Sequence, residues 1–210
     1  MALARITILI SGRGSNMAAL IDAASAGTIH GAVTHVISNR PDAAGLAHAQ
    51  RNGIATTVVD HRAFASRAEF DAALAKAIDA SEPDLVVLAG FMRILGTDFV
   101  QRYAGRMLNI HPSLLPAYPG TDTHRRALAD RATRHGCTVH FVTADVDGGP
   151  IIAQAEVPVR ADDNPQTLAA RVLEQEHRLL PRVVGWYCAG RIALEGDRVR
   201  FVDVPQPAQR

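Results

Sequence analysis

Residues 6–26, ITILISGRGSNMAALIDAASA, decide the fold. Ile6–Ile10 is a short, wholly apolar run, which is typical of a buried strand. Met17–Ala26 is rich in alanine and carries apolar residues at helical spacing, so it predicts an amphipathic helix. The glycine-containing segment Ser11–Asn16 separates the two elements. A strand, a tight turn and a helix in this order predict the opening of a βαβ unit.

The same alternation continues through the first half of the chain. The run at Leu85–Ala89, LVVLA, is apolar throughout, as a strand covered on both faces should be. Alternating strands and helices imply right-handed crossovers. We therefore predict an α/β fold with a doubly wound, mostly parallel (Rossmann-like) sheet. Its further elements are strands at Val33–Ser38 and Thr56–Val59 and helices at Ala43–Asn52 and Arg67–Ala80.

The second half predicts an antiparallel C-terminal addition to this sheet. Strand-like runs at Thr138–Val142 and Ile151–Val157 flank Asp147-Gly148-Gly149-Pro150, which has the composition of a turn. A long helix is predicted over Leu168–Cys188, starting near Pro165 and interrupted or bent near Pro181. A closing hairpin follows at Ile192–Leu194 and Val199–Val202.

The chain has no internal repeat and no linker, so a single domain over residues 1–204 is expected. The proline- and glutamine-rich residues 205–210 are predicted to form a frayed tail.

Composition excludes several classes of protein. There are 22 basic and 21 acidic residues, a formal net charge of +1, so no strong field favours nucleic acid or an anionic membrane. The two cysteines, Cys137 and Cys188, lack the spacing of a disulfide scaffold or a zinc site. Neither a cleavable leader nor an apolar run of bilayer length is present, which predicts a cytoplasmic location.

The turn at Ser11–Asn16 is a candidate phosphate site. Its glycines allow a tight turn, and the following helix N-terminus offers free N–H groups to an anion. Met17 stands where a dinucleotide-binding loop needs a third glycine, and a triphosphate loop would need Gly-Lys-Ser/Thr. A monophosphate therefore fits best. The alternative is a plain turn in which Ser15 or Asn16 caps the helix.

Asn109 and His111 are the most distinctive polar pair. They are two residues apart, so in an extended segment their side chains point to the same side. An amide donor beside an imidazole suits acyl transfer, because one group can hold an oxyanion while the other moves a proton. The alternative is that both merely cap loop backbone.

The glycine-rich segment Asp145–Pro150 contributes two carboxylates, Asp145 and Asp147. A carboxylate close to His111 would favour the charged imidazolium. Taken alone, such a segment is more often an ordinary hairpin turn, and it lacks the further oxygen ligands of a calcium loop.

Together these segments resemble the folate-dependent formyltransferases, and within them the branch that formylates glycinamide ribonucleotide. The matching stretches run in the same order from Ile6 to about Arg191. They are LISGRGSN at 9–16, VVLAGFMRIL at 86–95, LNIHPSLLP at 108–116, HFVTADVDGGPI at 140–151 and QEH at 175–177.

The resemblance implies an enzyme of de novo purine biosynthesis. It would move the formyl group of the cosubstrate 10-formyltetrahydrofolate directly to the amine of glycinamide ribonucleotide. Asn109, His111 and Asp147 would form the catalytic trio, and neither a metal nor a covalent enzyme intermediate is required. The expected partners are these small molecules, with no nucleic acid and no membrane, and the expected state is a monomer or a homodimer.

The resemblance also assigns binding residues. A phosphate-binding half, residues 1–100, would precede a folate and catalytic half, residues 101–204. The phosphate would lie on Gly14, Ser15 and Asn16, and Glu176 would contact the ribose or amine end. One departure is Asp122, which stands where the family usually has a histidine. The folate would contact Arg67, Met92, Arg93, Ile94, Leu95, Asn109, Thr143, Ala144, Asp145, Val146 and Asp147.

Four alternatives remain open at this point. A methionyl-tRNA formyltransferase normally has an added C-terminal domain and a more basic surface, and a formyltetrahydrofolate hydrolase normally has an added N-terminal domain. Met17 disfavours a nicotinamide-dependent oxidoreductase. A catalytically silent nucleotide-binding module would not need Asn109, His111 and Asp147 to come together.

Overall fold

The computed structural model describes residues 2–203, and these form a central sheet with helices on both faces. The sheet has seven strands in the order β3-β2-β1-β4-β5-β6-β7. The first five strands along the chain pair in parallel, whereas β6 is antiparallel to both β5 and β7. This confirms the predicted sheet and its antiparallel addition. The strands are β1 Ala4–Ile10, β2 Gly31–Ser38, β3 Ala55–Val58, β4 Leu85–Leu88, β5 Met107–His111, β6 Arg134–Phe141 and β7 Ile151–Pro158.

The strand order reverses between β1 and β4, because the chain first builds outward through β2 and β3 and then returns to the other side of β1. In open α/β sheets such a reversal leaves a crevice at the carboxyl ends of the strands, where ligands bind. The helices around the sheet are α1 Ser15–Ser25, α2 Ala44–Arg51, α3 Arg67–Asp79, α4 Thr97–Arg102, α5 Thr123–Ala129 and α6 Pro165–Cys188, with a short 3₁₀ helix at His61–Ala63.

The core consists of two apolar clusters, one on each face of the sheet. Alternate side chains of β1 divide between them, since Ile8 belongs to one cluster and Leu9 to the other. The first cluster includes Leu20 of α1 and Val183 of α6, and the second includes Leu74 of α3. Apolar burial on both faces explains why β1 and β4 are almost continuously hydrophobic in sequence.

The long helix α6 runs continuously through Pro181, so an interruption there, one of the two predicted effects of this proline, is wrong. Its start agrees with the prediction, because a capping box surrounds Pro165. The box consists of Asn164, directly before the proline, and Thr167, two residues after it. Beyond the proline, Val183 and Val184 are fully buried in the core. Their packing offsets the single backbone hydrogen bond that proline cannot donate.

The predicted closing hairpin is present as β8 Ile192–Glu195 and β9 Arg198–Phe201, but it forms a two-stranded sheet of its own. The tail predicted over residues 205–210 lies outside the described residues. Within residues 2–203, no helix is long and apolar enough to cross a membrane.

Candidate active site

A cleft of about 620 Å³ opens at the carboxyl ends of β4 and β5. Its walls come from the segment after β4, from the end of β5 and from the loop between β6 and β7. Every residue assigned to catalysis or folate binding lines it except Arg67. These residues are Met92, Arg93, Ile94, Leu95, Asn109, His111, Thr143, Ala144, Asp145, Val146 and Asp147.

His111, the last residue of β5, is buried with a hydrogen-bond acceptor at each ring nitrogen. Nδ1 lies 3.3 Å from Oδ2 of Asp147, and Nε2 lies 2.9 Å from the carbonyl oxygen of Tyr118. The contact with Asp147 is an ion-pair distance, and the Tyr118 carbonyl is the hydrogen-bond partner of the ring.

Asp147 is the carboxylate of its loop that reaches the histidine. Its backbone is left-handed, with φ of 54°, which turns the side chain back toward β5. Oδ2 also accepts a hydrogen bond of 2.8 Å from the backbone N–H of Gly120. The Asp147 carboxylate thus contacts both the imidazole of His111 and the proline-rich loop that follows β5.

His140 is a cleft residue to which the sequence assigned no role. It lies opposite Asn109 in the β5–β6 register, and its Nε2 is 3.2 Å from Asn109 Nδ2. Its Nδ1 is 2.8 Å from the carbonyl oxygen of Phe141 and must donate to it, which leaves Nε2 to accept from the amide. Burial lowers the pKa of His140, although the Phe141 carbonyl and Asp147 oppose the shift. A neutral His140 therefore orients the Asn109 amide.

The phosphate loop, which is the candidate phosphate site at Ser11–Asn16, lies beside this cleft. Ser11 N–H donates to the Gly90 carbonyl at 3.1 Å, which joins the end of β1 to the end of β4. Gly14 is the N-cap of α1 in a left-handed conformation, with φ of 74°, and no side chain caps the helix. The alternative in which Ser15 or Asn16 is the cap is therefore wrong. A Cβ on Gly14 would lie 3.1 Å from the Gly45 Cα, so backbone from α2 approaches closely here.

Asn16 turns its side chain toward α6. Its Nδ2 donates to Oε2 of Glu176 at 2.6 Å, and both residues are buried. Burial raises the pKa of Glu176, and the hydrogen bond from Asn16 opposes that rise. The structure thus brings Glu176 to the phosphate loop, 160 positions away in sequence.

Two predicted positions differ from the rest of the site. Asp122, at the family's usual histidine position, lines the cleft mouth and forms an exposed ion pair of 3.4 Å with Arg125. Arg67 does not line the cleft. Its Nε lies near Gly96, which directly follows the predicted folate residues 92–95. Among residues 2–203, no group of three His, Cys, Asp or Glu side chains could hold a metal ion.

The fold and the cleft define a class of protein, an α/β enzyme with an amide and an imidazole–carboxylate pair arranged for acyl-type transfer. The family model described as formyl transferase matches residues 4–184, so the chain belongs to the formyl transferase family.

Relatives support the same placement. The chain is 53% identical to phosphoribosylglycinamide formyltransferase of Escherichia coli over 189 residues, which cover 90% of this chain and 89% of the relative. It is 43% identical to the protein of the same name from Haemophilus influenzae, covering 95% of this chain and 93% of the relative. Glycinamide ribonucleotide transformylase 1 from Symbiobacterium toebii superimposes with a TM-score of 0.93 at 48% identity, covering 96% and 95% of the two chains.

Proposed function

We propose that this chain transfers the formyl group of 10-formyltetrahydrofolate to the amine of glycinamide ribonucleotide, in de novo purine biosynthesis. The observation that carries the proposal is the His111–Asp147 pair, 3.3 Å apart, beside Asn109 in the cleft. The names of the E. coli and Symbiobacterium toebii relatives support the transferred formyl group and the acceptor.

The proposed chemistry is direct attack by a neutral amine on the formyl carbon. As the tetrahedral intermediate forms, the Asn109 amide and the His111 imidazolium donate hydrogen bonds to its oxyanion. His111 Nε2 must then exchange its contact with the Tyr118 carbonyl for the substrate oxygen. The amine loses a proton and N10 of the departing folate gains one, through His111 or a water molecule, so the enzyme returns to its starting state.

Asp147 acts through the histidine. Its carboxylate lies 3.3 Å from Nδ1, where it holds the ring in place and attracts the imidazolium that donates to the oxyanion. His140 does the corresponding task for the amide, since accepting one Nδ2 hydrogen directs the rest of the group toward the cleft. Each of the two groups that donate to the oxyanion is therefore held by a second side chain. This fixes the orientation of both groups before substrate binds.

The two substrates would occupy adjoining parts of the site. The acceptor's phosphate meets Gly14, Ser15 and Asn16 at the N-terminus of α1, with Glu176 at its ribose or amine end. The pterin lies between residues 92–95 and residues 143–147, and Arg67 serves the outer end of the folate. This arrangement crosses the predicted division into halves at 1–100 and 101–204, because residues 92–95 and Arg67 of the first half serve the folate and Glu176 of the second half serves the acceptor.

The test mixes the protein with 10-formyltetrahydrofolate and glycinamide ribonucleotide and follows loss of the formyl group from folate by absorbance. Deformylation that requires the acceptor, with one formylated product per folate consumed, supports the proposal. Formate release without the acceptor identifies a hydrolase instead. Replacement of the acceptor by its unphosphorylated riboside should raise KM strongly if the phosphate loop binds as assigned.

The partners and the compartment rest on composition. A net charge of +1 supports small-molecule substrates over nucleic acid or membrane. The cytoplasmic location and the choice between monomer and homodimer stay predictions, which fractionation and sedimentation would test.

A further inference from the structure

The segment 92–96 that follows β4 lies in neither a helix nor a strand. Phe91, directly before the segment, and Leu95, within it, are buried. Met92 and Ile94 are 73% and 61% exposed on the cleft side. Backbone without a ladder of internal hydrogen bonds needs other groups to hold it in one conformation. The folate-binding segment must therefore be fixed from outside.

Two buried side chains hold its ends. The Met92 N–H donates to Ser11 Oγ at 2.7 Å, and the Gly96 N–H donates to Asp71 Oδ2 at 2.8 Å. Ser11 donates its own hydroxyl hydrogen to Asn39 Oδ1 at 2.6 Å, so its lone pairs remain for Met92. One acceptor comes from the end of β1 and the other from α3, the two elements on either side of the segment.

Burial of the Asp71 carboxyl group is energetically unfavourable. It is 8% exposed, and burial raises the pKa of its carboxyl, opposed by the Gly96 N–H and by the charges of Arg67 and Arg93. Its Oδ1 has no hydrogen-bond partner among the described residues. Its neighbours on α3, Phe70 and Leu74, belong to the second apolar cluster, and a buried carboxylate here is unfavourable unless its contact does something that an apolar side chain cannot do.

Gly96 fits that contact closely. A Cβ at this residue would lie 2.9 Å from Asp71 Oδ2, so only glycine lets the carboxylate reach the backbone N–H without a shift. Neither Asp71 nor Ser11 lines the cleft. Their contacts with the segment 92–96 therefore lie behind the cleft wall.

We propose that Asp71 and Ser11 are positioning residues that hold the 92–96 segment at both ends and so set the affinity for 10-formyltetrahydrofolate. The proposal rests on the function proposed above. Asp71 gives the cleaner test, because Ser11 also begins the phosphate loop.

The experiment compares Asp71→Ala with Asp71→Asn in the complete chain. Asp71→Ala removes the acceptor, so KM for 10-formyltetrahydrofolate should rise about tenfold, with kcat and KM for glycinamide ribonucleotide within about twofold of wild type. Asp71→Asn keeps an oxygen that can accept from Gly96 and should recover most of the affinity. Gly96→Ala should reproduce the Asp71→Ala phenotype.

Ser81→Ala is the matched control. Ser81 follows α3, is 5% exposed and makes a buried hydrogen bond of 2.6 Å with Thr7, far from the folate segment. It should lower the melting temperature without changing either KM, which separates general destabilisation from loss of positioning. Melting curves and circular dichroism identify any variant that fails to fold, and if Asp71→Ala does not fold, Gly96→Ala carries the comparison.

Each outcome decides one claim. If wild type does not consume 10-formyltetrahydrofolate with the acceptor, the proposed function fails whatever Asp71 does. If wild type is active but Asp71→Ala and Gly96→Ala match Ser81→Ala in KM for folate, the positioning role is wrong. Equal increases in KM for both substrates would likewise contradict it.

Discussion

The proposed phosphate loop, Ser11–Asn16, and the proposed catalytic cluster are built in opposite ways. The loop is a local device, in which one strand, one turn around Gly14 and one helix within residues 4–25 present backbone N–H groups. The cluster is assembled from distant pieces, since His111 and Asn109 come from β5, His140 from β6 and Asp147 from the loop beyond. The local device depends on backbone shape, whereas the assembled cluster depends on side chains that meet only after folding.

The difference predicts different failures on mutation. Damage to the cluster should lower turnover while binding survives, and damage to the loop should lower the affinity for one substrate while turnover survives. The following predictions test this contrast, starting from the largest expected effect.

Removal of an oxyanion donor should have the greatest effect. Asn109→Ala and His111→Ala should each lower kcat by about a hundred- to a thousandfold, because each group acts on charge that develops in the transition state. KM for both substrates should change little. Steady-state kinetics with direct binding measurements check this. Near-normal turnover in either variant would remove that residue from the mechanism.

Asp147→Asn should come next, with kcat at neutral pH lower by about tenfold. The amide keeps the size of the side chain but removes the charge beside His111 Nδ1. The ring then lacks the opposite charge that faces it and holds it in place, so kcat should fall while KM for folate stays near wild type. Steady-state kinetics with both substrates measure this. An unchanged kcat combined with weaker folate binding would leave Asp147 as a loop residue only.

Gly14→Asp should mainly weaken acceptor binding, by tenfold or more in KM for glycinamide ribonucleotide, because a negative charge enters the place where N–H groups meet the phosphate. KM for folate should stay near wild type. Gly14→Ala separates charge from strain. Gly53→Ala is a control for backbone strain alone, since Gly53 has φ of 70° and open space around its Cβ position. Equal losses for both substrates in Gly14→Asp would make the loop merely structural.

The same contrast explains what the sequence could predict. The phosphate loop and the parallel sheet follow from local signals, namely apolar runs, glycine turns and helical periodicity, and both are present. The 3.3 Å approach of Asp147 to His111 depends on a left-handed residue and an antiparallel register that no local pattern encodes. For the trio, the family resemblance supplied what periodicity could not.

His140 and the path of Asn16 show where prediction from local sequence stops. His140 faces Asn109 only because β6 runs antiparallel to β5 in one register, and a shift of one residue would turn it to the other face. Asn16 looks like a helix cap in sequence, but α6 brings Glu176 within 2.6 Å of it. In both cases the partner is a long-range neighbour, and the isolated residue gave no signal of it.

The smallest predicted effect concerns the side chain that joins the loop to α6. Burial raises the pKa of Glu176, so the folded protein disfavours its charged form. This group's contribution to stability is therefore fully present below the ordinary pKa of a glutamate. It is lost as pH rises through the raised pKa of the folded state. The glutamine in Glu176→Gln cannot ionise and keeps an oxygen that accepts from Asn16. The variant should therefore not lose this stability as pH rises.

The measurement is a set of melting curves for wild type and Glu176→Gln between about pH 4.5 and pH 8. The variant should melt a few degrees higher than wild type at the alkaline end, and the difference should vanish toward the acidic end. KM for the acceptor should rise in the same variant, since the carboxylate is assigned to its ribose or amine end. Glu174→Gln, on the same helix, is the control and should change neither quantity. A difference in melting temperature that is constant with pH would show that the ionisation of Glu176 is not coupled to folding.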